Sequence, residues 1–249
     1  MKKFIAYFDY LGFKQVVENN DIEQLKLIVS RNLRDIETGL GKGITKNTKH
    51  GVIADLTQSK LNCINFSDTV IFWSNDDSIE SLNEILEVSY RYNWQSIDFT
   101  FPVRGALLFD EIHNFKFQQD NYGGGTYSIN SVIGKGIVNA HYKAESQHWA
   151  GTVIDETFIQ EIRNKGYNPI DYLKPFAKLF SVPYKDKKVI QDEYVLCIIK
   201  GEEMPQIAYE NYKNGIVDNF KAYNKSIDNL DVKEKIENTL TFLRTFCKV

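Results

Sequence analysis

The 249-residue sequence has only three cysteines, five prolines and four histidines. Cys63, Cys197 and Cys247 are odd in number and widely separated. That excludes a disulfide framework and a zinc knuckle, and it suits a reducing compartment. Positive charge is not in excess: 30 Lys+Arg against 33 Asp+Glu leave a formal charge of -3 and a pI near 5.9. A protein whose main task is gripping a polyanion needs a clustered basic surface, so nucleic acid is not expected as a partner. No apolar run approaches the roughly 18 residues of a membrane span, so no membrane partner is expected either. The opening MKKFIAYFDYLGF is interrupted by Asp9 and is followed by no small-residue cleavage site, which argues against a secretory signal. The expectation is a soluble cytoplasmic protein. No repeat or low-complexity segment is present. What the sequence does hold is 43% hydrophobic and 13% aromatic residues, enough for a sizeable core and too many for intrinsic disorder. The length suits one large domain, or one domain with an extension.

Several common catalytic signatures are also missing. Gly134-Lys135 is followed by Gly136 and not by Ser or Thr, so it makes no Walker phosphate loop. Gly39, Gly41 and Gly43 do not follow a strand and do not form a dinucleotide fingerprint. There is no His-Glu-x-x-His and no Gly-x-Ser-x-Gly.

The pattern of apolar residues sets out the elements. Lys3 to Asp9 reads as a buried strand and Phe13 to Asn19 as the start of a helix, with Gly12 between them. Asp21 is a suitable N-cap for a second helix bearing Ile22, Leu25, Ile28, Val29 and Leu33. Residues 39–51 are glycine- and lysine-rich and read as an exposed loop. Leu61 to Phe66 and Thr69 to Trp73 read as a hairpin turning at Ser67-Asp68, followed by a helix over 78–92 and a strand over 99–108. His113 to Asn130 reads as a mobile loop or long hairpin. A helix over 137–146, a short strand over 152–154 and a helix over 156–165 follow. Two more strands (178–183 and 193–199) and two tail helices (204–223 and 232–246) complete the chain. The apolar stripe Ile236, Leu240, Leu243 implies docking of the tail on the body or on a second subunit. This order implies an α+β fold, a mostly antiparallel sheet with helices on one face. The expected units are residues 1–200 and a helical extension over 201–249.

Two aspartates stand out. Asp9 ends an otherwise apolar strand, where an ionised carboxylate is costly unless paired or metal-bound. Asp68 sits at the turn of an equally apolar hairpin. If the first strand pairs beside that hairpin, both carboxylates reach one sheet edge. Two hard oxygen ligands there suit Mg²⁺ or Mn²⁺. Taken singly, Asp68 also reads as a plain turn residue and Asp9 as a helix cap.

Four segments, FIAYFDYLGF, NCINFSDTVIFWS, FPVRGALLFDEI and VIGKGIVNAHYKAES, occur in the order of the signature segments of class III nucleotide cyclases. More narrowly, they resemble the bacterial pyrimidine cyclases of Pycsar antiphage defence. The resemblance covers about residues 3–155, and the helical tail also fits that group. It implies a ferredoxin-like cyclase core and two divalent metal ions, Mn²⁺ or Mg²⁺, on Asp9, Asp68 and the carbonyl of Tyr10. It further implies nucleotide binding around Phe8, Leu11, Gly12 and Phe13, where backbone amides at a strand-to-helix turn favour phosphate. A plain turn explains Gly12 equally well. On the helix over 137–146, Asn139 matches the family's ribose-positioning asparagine. Lys143 stands where the family has a transition-state arginine, a point charge in place of a planar fork. Its plain reading is a solvated helix face. Arg104 faces phosphate or base, or makes a salt bridge within the sheet. Phe109-Asp110 departs from the glycine usual in that strand.

Shortly before the second aspartate, Ile64 occupies the place where purine cyclases carry a polar base-selecting residue. A pocket without that partner does not select a purine by hydrogen bonding. The resemblance therefore implies a uridylate cyclase making 3′,5′-cyclic UMP from UTP, with a cytidylate cyclase acting on CTP as the runner-up. It also implies a homodimer with interface sites, and a separate effector protein activated by the cyclic nucleotide. Two other readings stay open: an RNA-binding module using Phe4, Tyr7, Phe8 and Phe13 as stacking platforms, and a degenerate cyclase domain kept for protein contacts.

Overall fold

A computed structural model describes residues 1–189 and 191–248. The element order is β1 (Lys2–Tyr10), α1 (Phe13–Asn19), α2 (Ile22–Leu40), β2 (Thr45–Thr48), β3 (Gly51–Ala54), β4 (Asn62–Phe66), β5 (Thr69–Trp73) and α3 (Ile79–Gln95). After it come β6 (Val103–Glu111), β7 (His113–Asp120), β8 (Thr126–Ile133), α4 (Lys135–Ser146), β9 (Gly151–Ile154), α5 (Glu156–Asn164) and α6 (Pro169–Leu173). The chain closes with β10 (Ala177–Ser181), β11 (Asp192–Leu196), α7 (Gln206–Lys221) and α8 (Leu230–Arg244). Seven strands form one sheet in the order β10-β11-β9-β6-β1-β5-β4. All its pairs are antiparallel except β6 with β9.

Strand alternation sorts the side chains of β1 between two faces. Phe4, Ala6, Phe8 and Tyr10 enter the large core, together with Leu82, Ile85 and Leu86 of α3, Phe158 of α5 and residues of the tail helices. Ile5 and Tyr7 point the other way, to a smaller cluster with Ile71, Trp73, Ala106 and Leu108. That second face is closed by α4, through Ala140 and Ala144. Helices thus lie on both faces, α4 opposite the rest. The approach of α4 is close because of Gly136, where a Cβ would lie 2.4 Å from Ile5 Cδ1.

Local chemistry explains the helix starts. Asp21 and Gln24 form a capping box at α2, and Ser78 caps α3. The inward stripe of α2 is Leu25, Ile28, Asn32 and Ile36; Ile22, Val29 and Leu33 of the expected stripe are exposed. The glycine-rich segment 39–51 is not a loop throughout, for it enters the β2–β3 hairpin. The strand expected from Phe99 starts at Val103, because α3 runs on through a π turn over Ser96–Thr100. Asn219 of α7 donates to the Ile97 carbonyl in that turn, 3.0 Å. Residues 113–130 fall mostly in the β7–β8 hairpin. The tail is integral to the body: Phe242 of α8 packs on Trp149 and Phe180. The buried Ala150 N–H donates to Thr239 Oγ1, 2.8 Å. No helix among the described residues is long and apolar enough to cross a membrane.

Candidate active site

Register, not proximity in sequence, assembles the site. Asp9 stands opposite Thr69 of β5 on one side and Arg104 of β6 on the other. By alternation Asp9, Arg104 and Thr69 share the α4 face of the sheet with Tyr7. The Tyr10 N–H donates to the Asp68 carbonyl, 2.9 Å, which pins the tip of the β4–β5 hairpin against the end of β1. Ser67 takes a φ of 56° to make that tip. The two aspartates singled out in the sequence are therefore neighbours.

Arg104 donates from Nε (3.0 Å) and Nη2 (2.8 Å) to one oxygen of Asp9, Oδ2. Its Nη2 also meets Glu145 of α4, which in turn pairs with Lys185. The site is partly screened from water, with Arg104 and Asp9 side chains 11% and 17% exposed. Burial raises the Asp9 carboxyl above its ordinary value; the Arg104 guanidinium opposes this, while Asp68 and Glu145 add repulsion. Burial also acts to raise Glu145, but Lys185 and Arg104 outweigh it and leave its carboxyl lowered.

The donor set fits a divalent cation. Among the described residues, no hydrogen bond reaches Asp9 Oδ1 or the half-buried Asp68 carboxylate, and the two carboxylates repel each other. Hard, unspent, mutually repelling oxygens are what Mg²⁺ or Mn²⁺ neutralises. No three His, Cys, Asp or Glu side chains among the described residues group to hold a metal unaided, so water and substrate phosphate would complete the shell.

Other expected residues fall elsewhere. Phe8 is fully buried, its ring edge-on to Phe72 and Tyr92, so it is a core residue and its side chain cannot meet a nucleotide. The Leu11 N–H is spent on the Pro102 carbonyl, 2.9 Å, and cannot serve a phosphate. Gly12 is exposed and left-handed (φ 79°) ahead of α1, and Phe13 stacks on Tyr10. Asn139 is exposed and donates to Asp110, 2.9 Å. Asp110 lies six residues along β6 from Arg104, about 20 Å of strand, so one chain does not bring Asn139 to Asp9. Lys143 turns toward β11, where it pairs with Glu193 at 2.6 Å. It too lies outside the Asp9–Asp68 cluster.

Residues not expected at the metal-binding site complete the picture. Tyr7 Oη lies 3.0 Å from His141 Nδ1 of α4 and 3.4 Å from Thr69 Oγ1. These three line an apolar groove of about 300 Å³ with Ile64, Phe66 and Ile71, beside Asp68. Alternation along β1 puts Tyr7 on the same face as Asp9, while nothing in the sequence announced Glu145 or His141.

No protein-family model matches this sequence, and no curated protein matches it. Among solved structures, the guanylate cyclase domain of RhGC from Catenaria anguillulae, in complex with GTP, superposes with a TM-score of 0.51 at 9% identity. The match covers 79% of this chain and 96% of that one. The fold is that of a class III nucleotide cyclase domain. The adenylyl cyclase CyaB from P. aeruginosa is also similar, at a TM-score of 0.46 and 13% identity, over 79% of this chain and 94% of that one. At the 9% identity of the RhGC domain the fold is what is shared, and the reaction has to be argued from the residues.

Proposed function

We propose that this protein is a pyrimidine nucleotide cyclase that converts UTP to 3′,5′-cyclic UMP and pyrophosphate. The observation that carries the reading is the convergence of Asp9 and Asp68 on one edge of a cyclase-fold sheet, with unspent oxygens on both. Asp9 and Asp68, with the Tyr10 carbonyl, would hold two divalent cations, Mn²⁺ or Mg²⁺. Such ions supply charge neutralisation for a triphosphate and lower the pKa of a ribose hydroxyl.

The chain's own residues supply positioning. Arg104 and Glu145 fix the Asp9 rotamer, so that Oδ1 stays directed away from the guanidinium. The exposed turn at Gly12 and Phe13 offers backbone N–H groups to phosphate oxygens. The ribose 3′-oxygen then attacks the α-phosphorus in line and pyrophosphate leaves. Asn139 positions the ribose, and since it lies far from Asp9 in its own chain, it serves the site of a second copy. We read the sites as composite in a homodimer, and that separation supports the reading. Lys143 supports the transition-state charge in the same composite manner, once released from Glu193.

The groove beside Asp68 supports a pyrimidine. Ile64 in its wall offers no hydrogen bond to a purine edge, and among the described residues its polar lining is Tyr7, Thr69 and His141. We assign the cyclic product a second-messenger role in antiphage defence, read by a separate effector. Incubating the purified protein with Mn²⁺ and each of ATP, GTP, CTP and UTP, with products read by mass spectrometry, tests the reaction. Cyclic UMP from UTP alone is expected. Cyclic CMP would move the base assignment, a cyclic purine would overturn the pyrimidine reading, and no product from any of the four would overturn the cyclase reading.

A further inference from the structure

The link between α7 and α8 buries an ammonium without an anionic partner. Lys225 is 8% exposed, and among the described residues no acceptor reaches its buried Nζ. The ammonium lies 4.0 Å from the centroid of the Phe101 ring, a contact that offsets only part of the cost of its desolvation. Burial lowers its pKa to about 7. The carboxylate that lines the same cavity is already engaged, since Asp231 meets Lys235 at 2.5 Å and His148 at 3.7 Å.

Lys225 lines a cavity of about 200 Å³ behind the Leu11-Gly12 turn. At about 30 Å³ per water, that is room for an anion of several heavy atoms. Gly12 keeps the space open, for a Cβ there would stand 3.0 Å from Lys225 Cδ. Two amide side chains in the lining have spent their oxygens on backbone donors. Gln15 Oε1 accepts from the Ser226 N–H (2.9 Å) and Asn229 Oδ1 from the Asp231 N–H (2.8 Å). What remains unspent on Gln15, Asn229 and Lys225 is therefore a set of N–H donors.

We infer that this cavity is an anion site in which Lys225 holds a phosphoryl group. Several donors converging on one small volume match a ligand with several acceptor oxygens, and an ammonium left without a carboxylate matches its charge. The site goes beyond the cyclase reading and does not require it. It lies on the turn that follows Asp9, so an occupant would brace the segment between the two carboxylates and α1. The phosphoryl group comes either from a free phosphate or pyrophosphate, or from the tail of a nucleotide bound at the neighbouring site.

The test is a thermal melt of the full chain in EDTA with pyrophosphate, repeated with Lys225→Met and with Asp68→Asn. A rise in melting temperature that Lys225→Met abolishes and Asp68→Asn retains supports the site with a free anion. A rise seen only with nucleoside triphosphate and Mn²⁺, and again abolished by Lys225→Met, supports it with the nucleotide tail as the source. A second measurement needs no variant: reductive methylation of Lys225 in the wild-type protein, followed by peptide mass spectrometry. Pyrophosphate, or nucleoside triphosphate with Mn²⁺, is expected to slow that labelling relative to chloride of equal ionic strength. No protection by either ligand, or a stabilisation undiminished in Lys225→Met, overturns the inference, whatever becomes of the cyclase assay.

Discussion

Asp9 and Asp68 are each unremarkable alone, a strand-end carboxylate and a turn residue; their meaning comes from standing together. Replacing either by Asn keeps the shape and a hydrogen-bonding end but removes the charge. Asp9→Asn and Asp68→Asn are each expected to abolish cyclic nucleotide formation, by a hundredfold or more on the order of the effects seen for groups that stabilise transition-state charge. Their circular dichroism should match the wild type. Normal turnover in both variants would remove the metal assignment. A second carboxyl, Asp35, shows the cost of burial without a counter-charge. Thr100 donates to it, yet burial pushes its pKa from 3.8 to about 6. The folded state then holds this proton more tightly than the unfolded chain does. The associated stability is fully present below about pH 4 and is lost as pH rises through about 6. Asp35→Asn cannot ionise, so its melting temperature relative to wild type should climb between pH 4 and pH 7.5. A difference that stays flat across that range would show that Asp35 ionises without penalty.

At the scale of elements, the strands and helices were largely legible because their apolar periods are strong. The β4–β5 hairpin, the α3 stripe and the buried face of α8 all lie where periodicity places them. The departures share a cause, which is that a partner overrode the local pattern. Phe99 has strand character, but Asn219 of α7 satisfies a carbonyl of the π turn and lets α3 run on. Asn32 lies within the buried stripe of α2, a place no hydrophobic template assigns to it. The attachment of α8 likewise includes a buried polar contact within an apolar seam, Thr239 to the Ala150 N–H. Thr239→Val keeps the shape and leaves that buried donor unpaired, at a cost of about 1–3 kcal/mol. Denaturant titration should show a lower midpoint with an unchanged slope. An unchanged midpoint would mean that water replaces the hydroxyl.

On the scale of the whole molecule, the proposed reading divides each site between two copies. Asp9 and Asp68 sit at one end of β6, while Asn139 is held by Asp110 toward the other. If two copies complete each other, a dimer of Asp68→Asn with Asn139→Ala contains one intact site and one doubly damaged site. An equimolar mixture of the two inactive variants, allowed to exchange subunits, is then expected to recover about a quarter of wild-type activity on statistical grounds. No recovery would place all catalytic groups in one chain. The tail belongs to the same molecular scale, because Trp149, Phe180 and Phe242 form one aromatic group spanning body and extension. The tail helix α8 therefore packs into the core, and the link before it contributes Lys225 to the cavity behind Gly12.

Most of the elements, the α+β class, and the two carboxylates at ends of apolar strands were legible in the sequence by itself, because periodicity and the cost of a lone buried charge are local properties. Only the tertiary structure decided which carboxylates meet which cations. Arg104 reaching both Asp9 and Glu145, Lys143 turning to Glu193, Phe8 facing the core, and the closure of the Lys225 cavity all depend on strand register and helix placement. Those are long-range properties, set by the packing of the whole chain, and no spacing along it encodes them.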